Sequence, residues 1–326
     1  MIFVPKERPT PTYVLDTYWK FAAERQAIFF NRLKGSTQLT GDPILLKHKF
    51  TNAYRAADRV SQYLIKEIIY KGDQTPKELF FRVLLFKLFN KIETWQLLVH
   101  ELETVTWAEY SFERYSGILH EALRAGERIY SGAYMMSSCK VAFGHLKKHE
   151  NHIKLLESMM QFQLPDHILE AKSLEAVFRL LLSFQGIGKF LAYQYAIDLN
   201  YSTLIDFSEM EFVMAGPGAM DGIRKCFSSL GDYKEADVIR YVTDIQEQEF
   251  ERLGIEFKSL WGRQLQLIDC QNLFCETDKY ARLAHPEVSG ISGRTRIKQL
   301  YTAAPGRIHH YFPPKWGLND KLLLPV

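Results

Sequence analysis

Apolar and polar positions along this chain repeat at helical spacing. Between Thr17 and Leu33, the residues Trp19, Ala22, Ala23, Gln26, Ile28, Phe29 and Leu33 fit one broad face, and Gly35 ends the run. FTNAYRAADRVSQYLIKEIIY, Phe50 to Tyr70, predicts another helix, with Asn52, Arg55 and Arg59 near helical spacing and Asp58 beside them. After the loop KGDQTPKEL, the stretch ELFFRVLLFKLFN is apolar all round, which predicts a central helix. Further helices are predicted over 107–125, 139–160, 173–184, 189–199, 208–214, 221–230, 234–251 and 258–281. Strand-like alternation is scarce, and neither a solenoid repeat nor a low-complexity linker interrupts the pattern. From Val288 onward, Gly, Pro, Arg and Lys predict an irregular strap. The expected fold class is all-α.

Composition narrows the setting. At 326 residues, with 47% apolar and 24% charged positions, the chain has the make-up of a soluble globular protein. A net charge of +3 leaves any affinity for a polyanion to local patches. Cys139, Cys226, Cys270 and Cys275 lack paired metal spacing and are too few for a disulfide scaffold, so a reducing cytoplasm is expected. The opening MIFVPKERPTPTYVLD does not read as a signal peptide. Arg82 and Lys87 inside the most apolar stretch argue against a membrane span.

Candidate chemistry centres on LLSFQGIGKFLAYQYAIDLNYSTLID, Leu181 to Asp206. Gly186 and Gly188 form a turn at the mouth of a helix that begins near Lys189. Unpaired amides, the helix dipole and the lysine together suit an anion, most simply a phosphate. A plain turn with glycines for packing is the other reading. Gly216, Pro217 and Gly218 precede a helix with Arg224 and Lys225, as a second phosphate or sugar-hydroxyl seat or a tight turn. Asn52, Arg55 and Arg59 read as planar donors for a modified base or phosphate, or as a salt-bridged helix face with Asp58. Asp269, Asn272, Glu276 and Lys279 make a polar stripe on one helix, with a functional edge or a structural network as its two readings. His145, His149 and His152 fall on one face, but no carboxylate or cysteine completes a metal site. Lys147, Lys148 and Lys154 on the same helix favour a basic, DNA-facing surface. Neither metal nor cofactor is expected. In the tail, Arg294, Arg296, Lys298, Arg307 and Lys315 interleave with Tyr301, Tyr311, Phe312 and Trp316, which suits backbone neutralisation plus base stacking, with a solvated strap as the other reading.

Residues 75–215 resemble the helix–hairpin–helix DNA glycosylases. The turn Phe184-Gln185-Gly186-Ile187-Gly188 is similar to that family's Leu-Pro-Gly-x-Gly, with Gln185 in place of proline. Asp206, after Leu204-Ile205, stands eighteen residues past Gly188, near the position of the family's catalytic aspartate, with an N-cap for a helix beginning near Ser208-Glu209-Met210 as its other reading. IYSGAYMMSSCKVAFGHLKKH resembles its Gly-x-Tyr segment, and Asn90 follows the central helix where the family carries a polar wedge. Phe190 stands at the position of the lysine in lyase members, so the resemblance implies a glycosylase without lyase activity. An aromatic there would help wall a base pocket.

A second resemblance covers almost the whole chain. WKFAAERQAIFFNRLKG, KFTNAYRAADRVSQYLI, AGPGAMDGIRKCF and LIDCQNLFCETDKYAR are similar to the α-glutamyl/putrescinyl thymine pyrophosphorylase family, which occurs with phage base-hypermodification genes and in bacterial defence loci. Its defence branch implies excision of glycosylated hydroxymethylpyrimidines from phage DNA. No nucleotide-binding or sugar-transferase motif stands beside the glycosylase-like core, which favours excision.

The expectation is therefore a cytoplasmic, monofunctional DNA glycosylase acting on a bulky modified pyrimidine. Its expected partner is double-stranded DNA, with neither a membrane nor an obligate protein partner. Asp206 would be catalytic, and Gly186, Gly188 and Lys189 would hold phosphate. Phe190, Asn90, Asn52, Arg55, Arg59, Gly216, Gly218 and Asp269 would line the pocket or the DNA. The alternatives are a hypermodification enzyme acting on hydroxymethylpyrimidine in DNA, and a non-catalytic binder of modified DNA. The expected organisation is an N-terminal helical segment (1–74), a glycosylase-like core (75–231), and C-terminal helices with a basic strap (232–326).

Overall fold

A computed structural model describes residues 6–132, 136–303 and 309–323. Tyr134 of the Gly-x-Tyr segment and Arg307 of the tail lie outside the described residues. The all-α class holds: the described residues are mostly helical, with little strand. In chain order the helices are α1 (Val14–Leu33), α2 (Pro43–Lys47), α3 (Arg59–Tyr63), α4 (Pro76–Phe89), α5 (Ile92–Leu102), α6 (Phe112–Arg124), α7 (Lys140–Phe143) and α8 (Lys148–Gln161). They continue with α9 (Leu164–Glu170), α10 (Leu174–Leu182), α11 (Lys189–Asn200), α12 (Pro217–Cys226), α13 (Glu235–Asp244), α14 (Gln246–Arg252) and α15 (Leu267–Ala284). Two short strands, β1 (Thr10–Pro11) and β2 (Phe227–Ser229), pair antiparallel.

The chain divides into two compact units. The first takes the described residues of Met1–Asp58, Phe212–His309 and Gly317–Val326; the second takes those of Arg59–Glu211 and His310–Trp316. In the first unit, α1 packs on α12 and α15, with Trp19 edge-on to Phe250 and Tyr18 against Phe274. Helices α12 and α15 approach closely because α12 presents glycine there. A Cβ on Gly222 would stand 2.0 Å from the Phe274 carbonyl oxygen, and one on Gly218 2.3 Å from the Cys275 sulfur.

In the second unit, α4 is buried on every side, as its unbroken apolar run requires. Pro76 occupies its first turn, and Glu78 accepts the Trp107 and Ala108 amides at 2.7 and 2.9 Å. Its partner α11 is buried from Leu191 to Asn200. The two helices share an ion pair, Lys87 to Asp198 at 3.2 Å.

Several element boundaries differ from the sequence expectation, each for a local reason. The helix expected over Phe50–Tyr70 is broken. A 3-10 turn covers Arg55–Ala57, then α3 follows, then a π-helical stretch at Leu64–Ile69. Asp58 accepts the Asn52 amide at 2.8 Å and the Asn52 side chain donates to the Ala57 carbonyl at 2.8 Å, so side chains take the groups a helix would use. The helix expected over 139–160 splits at Gly144, which is left-handed (φ 77). No helix forms over 208–214, where the Asn200 side chain ties both the amide and the carbonyl of Phe207 at 2.9 Å. Residues 258–266 are not helical either, and α15 starts at Leu267.

Candidate nucleic-acid interface

The glycine turn lies between α10 and α11, and its two glycines do different work. Gly186 is left-handed (φ 98), and a Cβ there would stand 2.3 Å from the Cys139 sulfur. That glycine is dictated by packing within the protein. Gly188 caps α11 without a side-chain bond, and nothing lies within 4 Å of where its Cβ would be. Lys189 beside it is exposed and Phe190 is half-buried. Cys139 is itself left-handed (φ 52) although it is not glycine, a conformation that costs about 1 kcal/mol or more and persists only where packing enforces it. The turn therefore fixes the segment at Cys139, and the two stretches that the glycosylase resemblance singled out meet in space.

Asp206 is in a loop. Its side chain is 79% exposed and pairs with Lys315 at 3.2 Å, while Lys315 also donates to the carbonyls of Ser202 and Ile205. A carboxylate meant to stabilise a cationic sugar needs a dry, unneutralised setting; this one has water and a lysine. Asn90 is the left-handed residue that ends α4, and it accepts from Lys87 at 2.8 Å inside the core. Arg59, the first residue of α3, is exposed.

The remaining candidates belong to the first unit and are mostly engaged inside it. Asn52 is buried and accepts from Arg25 at 3.0 Å, and Arg55 is buried with its amide bonded to Asp269 at 2.8 Å. Asp269 also closes the capping box at the start of α15, and burial pushes its carboxyl up to about 6. Gly216 caps α12, and Gly218 is spent on the contact with Cys275. In the polar stripe of α15, Glu276 accepts the Thr51 amide at 3.0 Å and Lys279 lies 4.4 Å over the Phe50 ring, a network internal to this unit.

The histidines do not form the expected surface. His149 and His152 are buried, and only His145 is partly open. His152 bonds on both ring nitrogens. A carbonyl can only accept, so Nε2 donates to Ser137 O at 2.8 Å, and Nδ1 accepts from the Tyr130 hydroxyl at 2.9 Å. Burial holds its pKa down at about 4. Among the described residues, no group of three or more His, Cys, Asp or Glu is placed to hold a metal ion. In the tail, Arg294 pairs with buried Asp221 at 2.9 Å, and Phe312 is fully buried and stacked on Trp316.

A cleft of about 530 Å³ in the first unit, lined by Thr17, Lys20, Glu24, Asp42, Tyr280 and His285 among others, has no counterpart in the motifs. Its polar groups are largely tied to one another, with Tyr280 donating to Asp42 at 2.6 Å and Thr17 bonded to His285 at 2.7 Å.

The described residues make a mostly helical protein with a glycine turn at the start of α11. Residues 12–290 match the family described as 5-hmdU DNA kinase, helical domain, and the chain belongs to that family. A 5-hmdU DNA kinase of Bacillus phage SP10 is 28% identical over 284 residues, covering 81% of this chain and 44% of the relative. The chain thus spans less than half the length of that relative. No solved structure matches it.

These findings overturn the excision reading. The relative is named a kinase, which transfers a group, and not a hydrolase that cuts the base–sugar bond. The expected monofunctional glycosylase and its base-excision role are corrected accordingly. The alternative of a protein acting on hydroxymethylpyrimidine in DNA fits better. Among the described residues, no helix is long and apolar enough to cross a membrane.

Proposed function

We propose that this chain acts on hydroxymethylpyrimidines in double-stranded DNA as part of base hypermodification, gripping the DNA while the 5-hydroxymethyl oxygen receives a new group. The observation that carries this reading is the family match across residues 12–290, together with a relative named for phosphorylating 5-hmdU in DNA. The α10–turn–α11 hairpin serves as the backbone grip. Gly188 leaves open space at the start of α11, a helix start favours an anion, and Lys189 adds a full charge. Phosphoryl transfer is the first candidate reaction, with the hydroxymethyl oxygen attacking the γ-phosphorus of a nucleoside triphosphate and releasing the diphosphate.

The test uses duplexes identical except for thymine or 5-hydroxymethyluracil at one position. The full chain is expected to bind the hydroxymethyl duplex more tightly, and Lys189→Gln to weaken both complexes and lower the salt slope by about 1. Nucleoside mass spectrometry after incubation with ATP reads the transfer step separately. Equal affinity for the two duplexes, with only unmodified nucleosides recovered, would sink the proposal.

A further inference from the structure

The two most exposed large apolar side chains among the described residues are Val141, 93% exposed, and Leu146, 83% exposed. Both lie in KVAFGHLKK, Lys140 to Lys148. Such exposure on a loose loop would mean little, but this segment is held at three places. His152 on α8 bonds the Ser137 carbonyl at 2.8 Å. Cys139 is buried against Gly186. Asn151, also on α8, accepts the His145 amide at 3.0 Å and donates to the His145 and Lys147 carbonyls at 2.9 and 3.3 Å. A segment fixed from behind keeps its outward side chains where they are, so neither can retreat into the core.

Charge indicates what meets them. From Ile129 to His149 the chain has no Asp or Glu, while Lys140, Lys147 and Lys148 flank the two apolar residues. Lys140 and Lys147 are exposed, and Lys148 lies over the Tyr130 ring at 4.8 Å. Glu150, the first acid beyond, stands 3.7 Å from His145. Apolar points within a cationic border fit a partner that is anionic outside and apolar inside. Duplex DNA is such a partner, with phosphates for the lysines and a base stack that an aliphatic wedge can open.

We propose that Val141 and Leu146 form an apolar wedge that enters the DNA base stack at the modified site, with Lys140 and Lys147 on the flanking phosphates. This rests on the DNA reading above and adds to it the residues that unstack the target. The 5-hydroxymethyl group of a stacked base projects into the major groove, and drawing the base out of the stack would let a pocket enclose that group and exclude water while it reacts.

The experiment places 2-aminopurine beside 5-hydroxymethyluracil in a duplex and follows its fluorescence on adding the full chain. The parent protein should raise the signal as the stack opens. Val141→Ser/Leu146→Ser should abolish the rise and weaken binding about tenfold or more, as loss of two buried aliphatic groups requires, with the salt slope unchanged. Lys140→Gln/Lys147→Gln should do the reverse, lowering the salt slope by about 2 while the rise at saturation remains. Both pairs are at the surface, and an unchanged melting temperature checks that they fold. If the serine variant matches the parent in affinity and fluorescence, the wedge is wrong while the DNA reading stands. If the parent binds no duplex at all, both fall. Binding to phosphatidylserine vesicles that the serine substitutions abolish, with DNA binding untouched, would assign the tip to a membrane surface and overturn the wedge.

Discussion

Lys87 and Asp198 meet at 3.2 Å with only 4% and 0% of their side chains exposed. The lysine also donates to Asn90 at 2.8 Å, so its charge is partnered on two sides. Removing water from both ions is expensive, and their attraction offsets that cost only while both are present. Asp198→Asn is expected to destabilise the second unit by roughly 3 kcal/mol or more, because it strands a buried ammonium. The double change Lys87→Met/Asp198→Leu should recover most of that loss. Urea denaturation of the three proteins checks it, and a double variant no more stable than the single one would show that the pair contributes more than its own neutralisation. Between Lys315 and Asp206 the same charges are worth less, since the Asp206 carboxylate is 79% exposed and water screens it.

Glycine has opposite meanings on two helices. On α12, Gly222 lets the backbone of α15 approach so closely that a Cβ would stand 2.0 Å from the Phe274 carbonyl oxygen. That atom is backbone in the middle of a helix and cannot step aside. Gly222→Ala is therefore expected to cost about 3 kcal/mol or more by forcing the helices apart. On α6, Gly117 is exposed and has nothing within 4 Å of its would-be Cβ. There alanine only removes backbone freedom from the unfolded chain, and Gly117→Ala should stabilise by up to about 1 kcal/mol. Thermal melts of the two variants, shifted in opposite directions, are the readout. A melt for Gly222→Ala at or above the parent would refute the close-packing account.

The two units should respond to acid in opposite senses. In the second, His152 is held neutral by burial, with its pKa lowered to about 4 from an ordinary 6.5. A lowered histidine pKa means that the unfolded chain takes up the proton more readily. The stability it contributes is present above pH 6.5 and is lost as pH falls towards 4, by up to roughly 3 kcal/mol. In the first unit, burial raises Asp58 to about 7 and Asp269 to about 6. Those carboxyls contribute stability that is present at low pH and lost as pH rises through 6 to 7. Lowering the pH from 7 to 5 is therefore expected to reduce amide protection in α8 relative to α15. Hydrogen exchange corrected for intrinsic rates measures this, and His152→Gln, which keeps one donor and one acceptor, should flatten the response of α8. Unchanged α8 protection across that range would remove His152 as the cause.

Periodicity by itself determined the helical class, the burial of α4 on all sides, and the start of α11 at Lys189 after a glycine turn, because these follow from spacing within one turn of chain. The spacing of Ile92, Trp95, Leu98 and Leu102 also marked α5, though the expectation passed over it. Motif order linked the chain to a modified-pyrimidine family but pointed to excision where the relative is named a kinase, since proteins that excise a base and proteins that modify it share the need to reach it in DNA. Only the tertiary structure decided which polar residues are inside. Asn52, Arg55 and Asp269 carry the residue types of a binding site, yet their partners come from elsewhere in the chain, as when Asp269 takes the Arg55 amide across 214 positions. The same holds for Gly186, whose need for glycine comes from Cys139, and for Val141, whose exposure depends on α8 holding its segment from behind. Contacts between residues far apart in sequence leave no period to read, so burial and exposure at these positions were settled by the fold.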